Sequence, residues 1–264
     1  MISISSLFLK SSLFRKSLIP NLKAHYFHEL GLSIPLGKGY SAPMLENDYY
    51  NSFSEIFIDQ EYGDFLPTDN LHKIIDIGAH YGYFSLWLQN KFQKQELNSI
   101  MIEASSLCER SLEQLCIMDR LKGRFQYLKR AIGDPQQEMM KFFDRPFMAS
   151  SKFDSSDFAR SNTIKILKSP EVFEALPPPY DLIKCDIEGS EWEFIANYSE
   201  ILKVSKNLIL EWHSWHSGGS GYNQIIEALE SLDFKINKSS PPLPAVGMEG
   251  EVGLLLAENK SYLN

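Results

Sequence analysis

Between residues 71 and 232, short apolar runs alternate with stretches in which hydrophobic side chains recur every three or four positions. Lys73-Ile74-Ile75-Asp76-Ile77, Ser99-Ile100-Met101-Ile102, Phe125-Gln126-Tyr127-Leu128, the run from Tyr180 to Ile187 and the run from Asn207 to Trp212 have the character of buried strands. Phe84, Trp87, Leu88 and Phe92 mark a helix face after the first of them, and Cys108, Leu112, Leu115 and Cys116 a second. Helices are also expected from Glu191 to Tyr198 and around Ile225, Ile226, Leu229 and Leu232. This alternation predicts an α/β, Rossmann-like sandwich around a mostly parallel sheet. Residues 234–238 and 251–257 are expected to close it as an antiparallel strand pair.

The remaining segments are less regular. Glu138 to Phe143 reads as a further, more polar strand, and residues 144–162, rich in Ser, Asp and Arg, as a surface excursion. Ser169-Pro170-Glu171 has the cap, first-turn proline and early acid of a helix start. That helix should stop near Leu176, because Pro177-Pro178-Pro179 cannot continue it. Residues 1–50, with Pro20, Pro35, Pro43 and the Gly37-Lys38-Gly39 turn, suggest short helices and loops, an extension or cap on a domain spanning 51–264.

Charge divides the chain in the same place. The net charge is −8, yet residues 1–28 hold Lys10, Arg15, Lys16 and Lys23 and no acid. They carry +4, and the rest, with 22 basic and 34 acidic residues, carries −12. An acidic body argues against a nucleic-acid partner. The basic, Ser-rich residues 1–24 suit an arm packed on the domain, a targeting segment or peripheral membrane contact. No run approaches the ~20 apolar residues of a membrane span. Cys108, Cys116 and Cys185 have no CxxC spacing, which suits a cytoplasmic protein, and Cys108 and Cys116 read as core thiols.

Two motifs carry chemistry. Asp76-Ile77-Gly78-Ala79-His80-Tyr81-Gly82 lies at a strand-to-helix junction, where parallel sheets bind ligands. Glu103 ends the next strand, 21 residues after Gly82, and a carboxylate there can accept both hydroxyls of a ribose. Dinucleotide loops read GxGxxG and seat a pyrophosphate. Here two glycines stand four apart behind an acid, which repels phosphate and suits a cationic ligand such as S-adenosyl-L-methionine. The second motif, Asp181 to Glu191, places Lys184, Asp186 and Glu188 on one side of a strand end.

With these stretches, and with Phe53-Ser54-Glu55-Ile56-Phe57, Glu61-Tyr62, Ile102-Glu103-Ala104-Ser105 and Arg130-Ala131-Ile132-Gly133-Asp134, the sequence resembles the FkbM family of S-adenosylmethionine-dependent methyltransferases. The resemblance covers about residues 50–257. It implies that Asp76, Gly78, Ala79, His80, Gly82, Glu103 and Asp186 hold the cofactor and that Ala131 lies against its adenine. It also implies O-methylation of a small-molecule, sugar or lipid-linked acceptor. Two positions depart from the family pattern: His80 replaces the common Asn, and Ser105 stands where a Pro-containing turn often follows the acid.

Glu211-Trp212-His213 closes the next parallel strand. His213 is the expected general base for an alcohol acceptor, with Asp186 or Glu211 orienting it. The same Asp/Glu/His set also suits a divalent cation that would acidify the hydroxyl. Trp212 and Trp215 either wall the acceptor site or pack the core, and residues 216–221 form a rim. An NAD-type oxidoreductase and a cofactor-binding module without catalysis are the alternative readings.

Overall fold

The computed structural model describes residues 33–45, 49–68, 70–92, 95–144, 160–214, 221–244 and 250–262. The basic arm, most of the 144–162 excursion, Trp215 and most of the 216–221 rim lie outside them.

The chain opens with a hairpin, β1 (Ser33–Gly37) and β2 (Tyr40–Pro43). Loops had been expected here because Pro35 and Pro43 discourage a strand. Both are tolerated because this two-stranded ribbon is all edge, and Gly37, Lys38 and Gly39 turn it with φ of 91°, 52° and 85°. A short helix α1 (Tyr49–Phe53) runs into a π-helical turn (Ser54–Asp59) that ends at the left-handed Gln60, and a 3₁₀ turn follows (Gly63–Phe65).

The alternating part then runs β3 (Lys73–Ile77), α2 (Tyr83–Lys91), β4 (Asn98–Glu103), α3 (Glu109–Ile117) and β5 (Phe125–Lys129). It continues through β6 (Met139–Asp144), β7 (Arg160–Lys165), α4 (Ser169–Ala175), β8 (Tyr180–Cys185), α5 (Glu191–Asn197), α6 (Ser199–Lys203) and β9 (Ser205–His213). α7 (Tyr222–Ser231), β10 (Phe234–Ser239), β11 (Leu243–Pro244) and β12 (Glu251–Asn259) complete it.

The principal sheet has the order β10-β12-β9-β8-β3-β4-β5, with β11 on the side of β12. β5, β4, β3, β8 and β9 are parallel, and β12 runs antiparallel to both of its neighbours, β9 and β10. A parallel sheet with its last strand reversed and inserted before the edge is the Rossmann-like methyltransferase fold. From β3 the chain moves outward through β4 and β5, then returns to place β8 on the other side. The switch point, where a ligand cleft opens, therefore lies between the carboxyl ends of β3 and β8.

Two apolar layers cover the sheet. On one face, Val172, Phe194, Tyr198, Leu202, Ile225 and Leu229 of α4 to α7 pack on the sheet. On the other, α2 and α3 lie under the N-terminal hairpin and the turns that follow it. α2 is consequently buried at every position from Tyr83 to Gln89 rather than along one stripe. Tyr83 meets Phe53 and Phe57 edge-on at 5.9 and 6.0 Å, and its hydroxyl donates to the carbonyl of Pro43. Trp212 is completely buried, so it belongs to the core and not to an acceptor wall; burial of such a side chain stabilises by roughly 3 kcal/mol. Gly253 stands opposite it across the β9–β12 pair and leaves its indole the room.

β6 was expected to follow β5 in the alternating run. It pairs instead with β7 in a separate hairpin, whose residues 160–162 had been assigned to the surface excursion. β6 is only partly buried, as its polarity requires, and could not replace a strand covered on both faces. α4 starts with Lys168 as its N-cap, the Glu171 carboxylate accepting from the Lys168 amide at 3.0 Å. Cys108 and Cys185 are buried and Cys116 packs at the core margin, all as free thiols. Among the described residues no helix is long and apolar enough to cross a membrane.

Candidate active site

The glycine loop turns directly over the end of β3. The amides of Gly78 and Ala79 both donate to the carbonyl of Ile102, at 2.9 and 3.1 Å, and so bind the loop to the end of β4. Gly78 has φ of +69°, and a Cβ there would fall 1.6 Å from the carbonyl oxygen of Asp186. Its glycine is therefore needed for contact with the chain leaving β8. At Gly82 a Cβ would meet Leu115 at 2.5 Å and Met101 at 2.9 Å, so this glycine lets α2 start against α3 and β4. His80 adopts a left-handed φ of 51°, with its ring 3.9 Å from that of Tyr81. Burial beside Lys184 lowers its imidazole to about 4, so it is neutral at ordinary pH.

Glu103 projects from the end of β4 into the same cleft. One carboxylate oxygen accepts from the amide of His80 at 2.9 Å and the other from the amide of Ser105 at 2.7 Å. Two backbone donors thus fix its orientation, although burial still raises its pKa. Ala104 follows it and clusters with Ala131, Phe142 and Ile164, an apolar patch beside the acid. Ala131 is held by a parallel bridge to Ile166, next to the β6–β7 hairpin.

Asp76 does not line the cleft. It is fully buried beneath the loop, accepts from the Ser85 hydroxyl of α2 at 2.7 Å, and lies 3.9 Å from the Lys184 ammonium. Burial raises its pKa. It anchors the glycine loop's strand to α2 and β8 from beneath.

Lys184 links the two halves. Its ammonium donates to the Gly78 carbonyl at 2.8 Å and to Asp186 Oδ2 at 3.3 Å. Burial would lower its pKa, but the carboxylates of Asp186, Asp76 and Glu211 outweigh that and raise it. Asp186 is held low in turn: burial pushes it up, and the Lys184 charge more than offsets this.

At the carboxyl ends of β8 and β9 the structure brings Asp186, Glu188, Glu211 and His213 together, as the pairing of these strands required. Tyr62 reaches the same point from the N-terminal turns. Its hydroxyl is 2.8 Å from Glu211 Oε2 and 3.2 Å from Asp186 Oδ2. One phenolic proton can serve only one of two carboxylates at a time. Burial, and then the charge of Asp186, push Glu211 well above the usual carboxylate range.

His213 is 3% exposed. Its Nδ1 lies 3.0 Å from Glu191 Oε1, and its Nε2 lies 3.9 Å from both Glu188 Oε2 and Glu211 Oε1. Burial alone would lower its pKa, but these acids, Glu191 foremost, lift it to about 10. The expected general base is thus an imidazolium at neutral pH. Glu191 itself is fully buried and also accepts from the amides of Ile187 and Gly189 at 3.1 Å, fixing the loop after β8. Glu188 sits in that loop with φ of 54°, its side chain 29% exposed, and burial pushes its carboxyl up to about 7.

Three contributors were missed in the sequence. Lys184 and Glu191 stood inside the quoted motif, one as a strand residue and the other as a helix-start acid. Tyr62 lay in a matching stretch but carried no local sign that it reaches residue 211.

No protein-family model and no curated protein matches the sequence. Solved structures with a similar fold include FkbM from Methylobacillus flagellatus KT, at 15% identity and a TM-score of 0.48, covering 79% of this chain and 49% of that one. Another is magnesium protoporphyrin IX methyltransferase from Synechocystis PCC 6803 with bound S-adenosylmethionine, at 12% identity and a TM-score of 0.46, covering 80% of each chain. A third is TrmK from M. capricolum in complex with S-adenosyl-homocysteine, at 12% identity and a TM-score of 0.42, covering 73% and 64%. The chain spans less than two thirds of the length of the first and third of these. At such identities the likeness is one of fold alone.

Proposed function

We propose that the chain is an S-adenosylmethionine-dependent methyltransferase of the FkbM type that methylates a hydroxyl of a sugar, a lipid-linked molecule or a secondary metabolite. The observation that supports this best is Glu103, a carboxylate set by two backbone amides at the edge of a cleft whose other polar groups are mostly acids. Among the described residues Asp186, Glu188 and Glu211 face only Lys184 and His213 as cations. Such a cleft repels a pyrophosphate and attracts a cation, which weighs against a dinucleotide and for a sulfonium with an amino group.

When bound, S-adenosylmethionine supplies the methyl group on its sulfonium. Glu103 accepts from the ribose hydroxyls, the Ala104–Ala131 patch borders the adenine, and the loop from Gly78 to Gly82 carries the rest. The net charge of −8 favours a small acceptor over a nucleic acid. Positioning supplies much of the rate of such a displacement. Removal of the hydroxyl proton falls to Glu188, the least enclosed acid of the acceptor side, with the His213 imidazolium beside it to hold the charge. Asp186 and Glu211, fixed by Lys184 and Tyr62, border the acceptor.

Calorimetric titration with S-adenosylhomocysteine tests the cofactor. Saturable binding that Glu103→Ala weakens at least tenfold supports the reading; no binding, or binding indifferent to Glu103, refutes it. Incubation of cell extract with methyl-labelled S-adenosylmethionine, followed by mass spectrometry, then identifies the acceptor. A labelled product that Glu188→Gln still forms at the full rate removes Glu188 as the base.

A further inference from the structure

We infer that His213, Asp186 and Glu211 form a binding site for a first-row divalent cation, of the Mn²⁺, Fe²⁺ or Zn²⁺ class. One ligand atom from each of the three lies within 4.8 Å of the others. An ion about 2.1 Å from each donor draws the donors to roughly 3–3.5 Å apart. That is a contraction on the order of 1 Å, within reach of the side-chain torsions of Asp186 and Glu211.

The surroundings are built for such an ion. A metal-ligating imidazole is oriented by a hydrogen bond from its other nitrogen to a carboxylate. Here Glu191 holds Nδ1 at 3.0 Å and is itself held by the amides of Ile187 and Gly189. The Nε2 edge therefore faces Glu211 and Glu188, each at 3.9 Å. Glu191 Oε2 is buried and has no hydrogen-bond partner among the described residues. Tyr62 engages Oε2 of Glu211 and, with Lys184, Oδ2 of Asp186, so the second oxygen of each carboxylate is the one to meet the ion. One imidazole with two carboxylates selects a borderline metal over Ca²⁺ or Mg²⁺, which prefer oxygen throughout.

The ion would take the place of the Nε2 proton of His213, which leaves to solvent on binding. Its role rests on the methyltransferase reading, in which it would polarise the acceptor hydroxyl beside Glu188, but its binding does not rest on that reading. The test is titration of the chelator-treated full chain with MnCl₂, following free Mn²⁺ by electron paramagnetic resonance. One ion per chain is expected, with affinity lost in His213→Ala and at least tenfold weaker in Glu211→Gln. Glu191→Gln should weaken it by roughly 10- to 100-fold, as for other orienting carboxylates. Should His213→Ala fail to fold, Glu211→Gln and Glu191→Gln decide. No saturable binding below millimolar Mn²⁺, or binding that none of these variants alters, overturns the site. S-adenosylhomocysteine titration of the same preparation separates the two readings: Mn²⁺ binding without cofactor binding leaves the metal site standing and removes the methyltransferase.

Discussion

The ammonium of Lys184 donates to the carbonyl of Gly78 at 2.8 Å, so a residue of β8 holds down the glycine loop that follows β3. The same ammonium stands between two buried acids, Asp76 at 3.9 Å and Asp186 at 3.3 Å. Lys184→Met would leave both carboxylates enclosed without their counter-charge. Breaking a buried pair in this way costs on the order of 3–5 kcal/mol. Urea denaturation at neutral pH should register a loss of that size, and a loss below ~1 kcal/mol would mean that the acids find other partners.

Glu103→Gln retains the shape and one acceptor oxygen but removes the charge. Bonds to a charged acceptor are worth about 1.5–3 kcal/mol. Affinity for S-adenosylhomocysteine should therefore fall by roughly 10- to 100-fold, measured by calorimetry, with a stability loss of about 1–3 kcal/mol because the amide nitrogen cannot accept from His80 or Ser105.

Gly78→Ala is expected to be far more damaging than an ordinary loop substitution. The backbone there has φ of +69°, and the added methyl would overlap the Asp186 carbonyl. Relief requires β3 and β8 to part at the cleft. We expect loss of cofactor binding together with a drop in stability of more than ~2 kcal/mol, read by calorimetry and by thermal unfolding.

Much of this was legible beforehand, and the boundary is physical. The strands of the principal sheet announced themselves because burial on both faces demands continuous apolar runs. Glu103 was legible because its place follows from strand length. Asp76 was assigned correctly to the end of β3, but sequence does not reveal that Lys184 and Ser85 enclose it. His213 was placed correctly, yet its charge depends on Glu191, Glu188 and Asp186 arriving from another strand end. The β1–β2 hairpin was missed because its prolines argue against a strand unless the ribbon is known to have only edges.

Asp181 ties part of the stability to pH. Its carboxylate accepts from the amides of His72 and Lys73, both at 2.9 Å, and from Lys206 at 2.7 Å. Burial would raise its pKa, but these donors outweigh that and hold it below the ordinary 3.8. A depressed carboxylate contributes stability above its unfolded pKa and loses it as pH falls through the folded one. Urea midpoints of the wild type should thus fall more steeply below about pH 4 than those of Asp181→Asn. Parallel curves would show that the bonds contribute nothing to the pH response.

Tyr62→Phe removes one hydroxyl from between two carboxylates. A buried acceptor left without its donor costs about 1–3 kcal/mol. Stability should fall by that amount, and Tyr62→Phe should leave S-adenosylhomocysteine affinity within about twofold, since the hydroxyl touches only Glu211 and Asp186. A large loss of cofactor affinity would show that the two sides of the cleft are coupled through this residue.

Tyr62 and Glu211 are separated by 149 positions in the chain. During synthesis from the N-terminus, the pairing of β3 with β4 and the glycine loop's bonds to Ile102 become available early. The acceptor side cannot form until β9 has emerged, and Tyr62 must wait for it throughout. A chain halted before β9 would carry the loop and Glu103 but no Glu211 or His213. The order of translation therefore completes the glycine loop and Glu103 before the cluster of Asp186, Glu188, Glu211 and His213 that faces them.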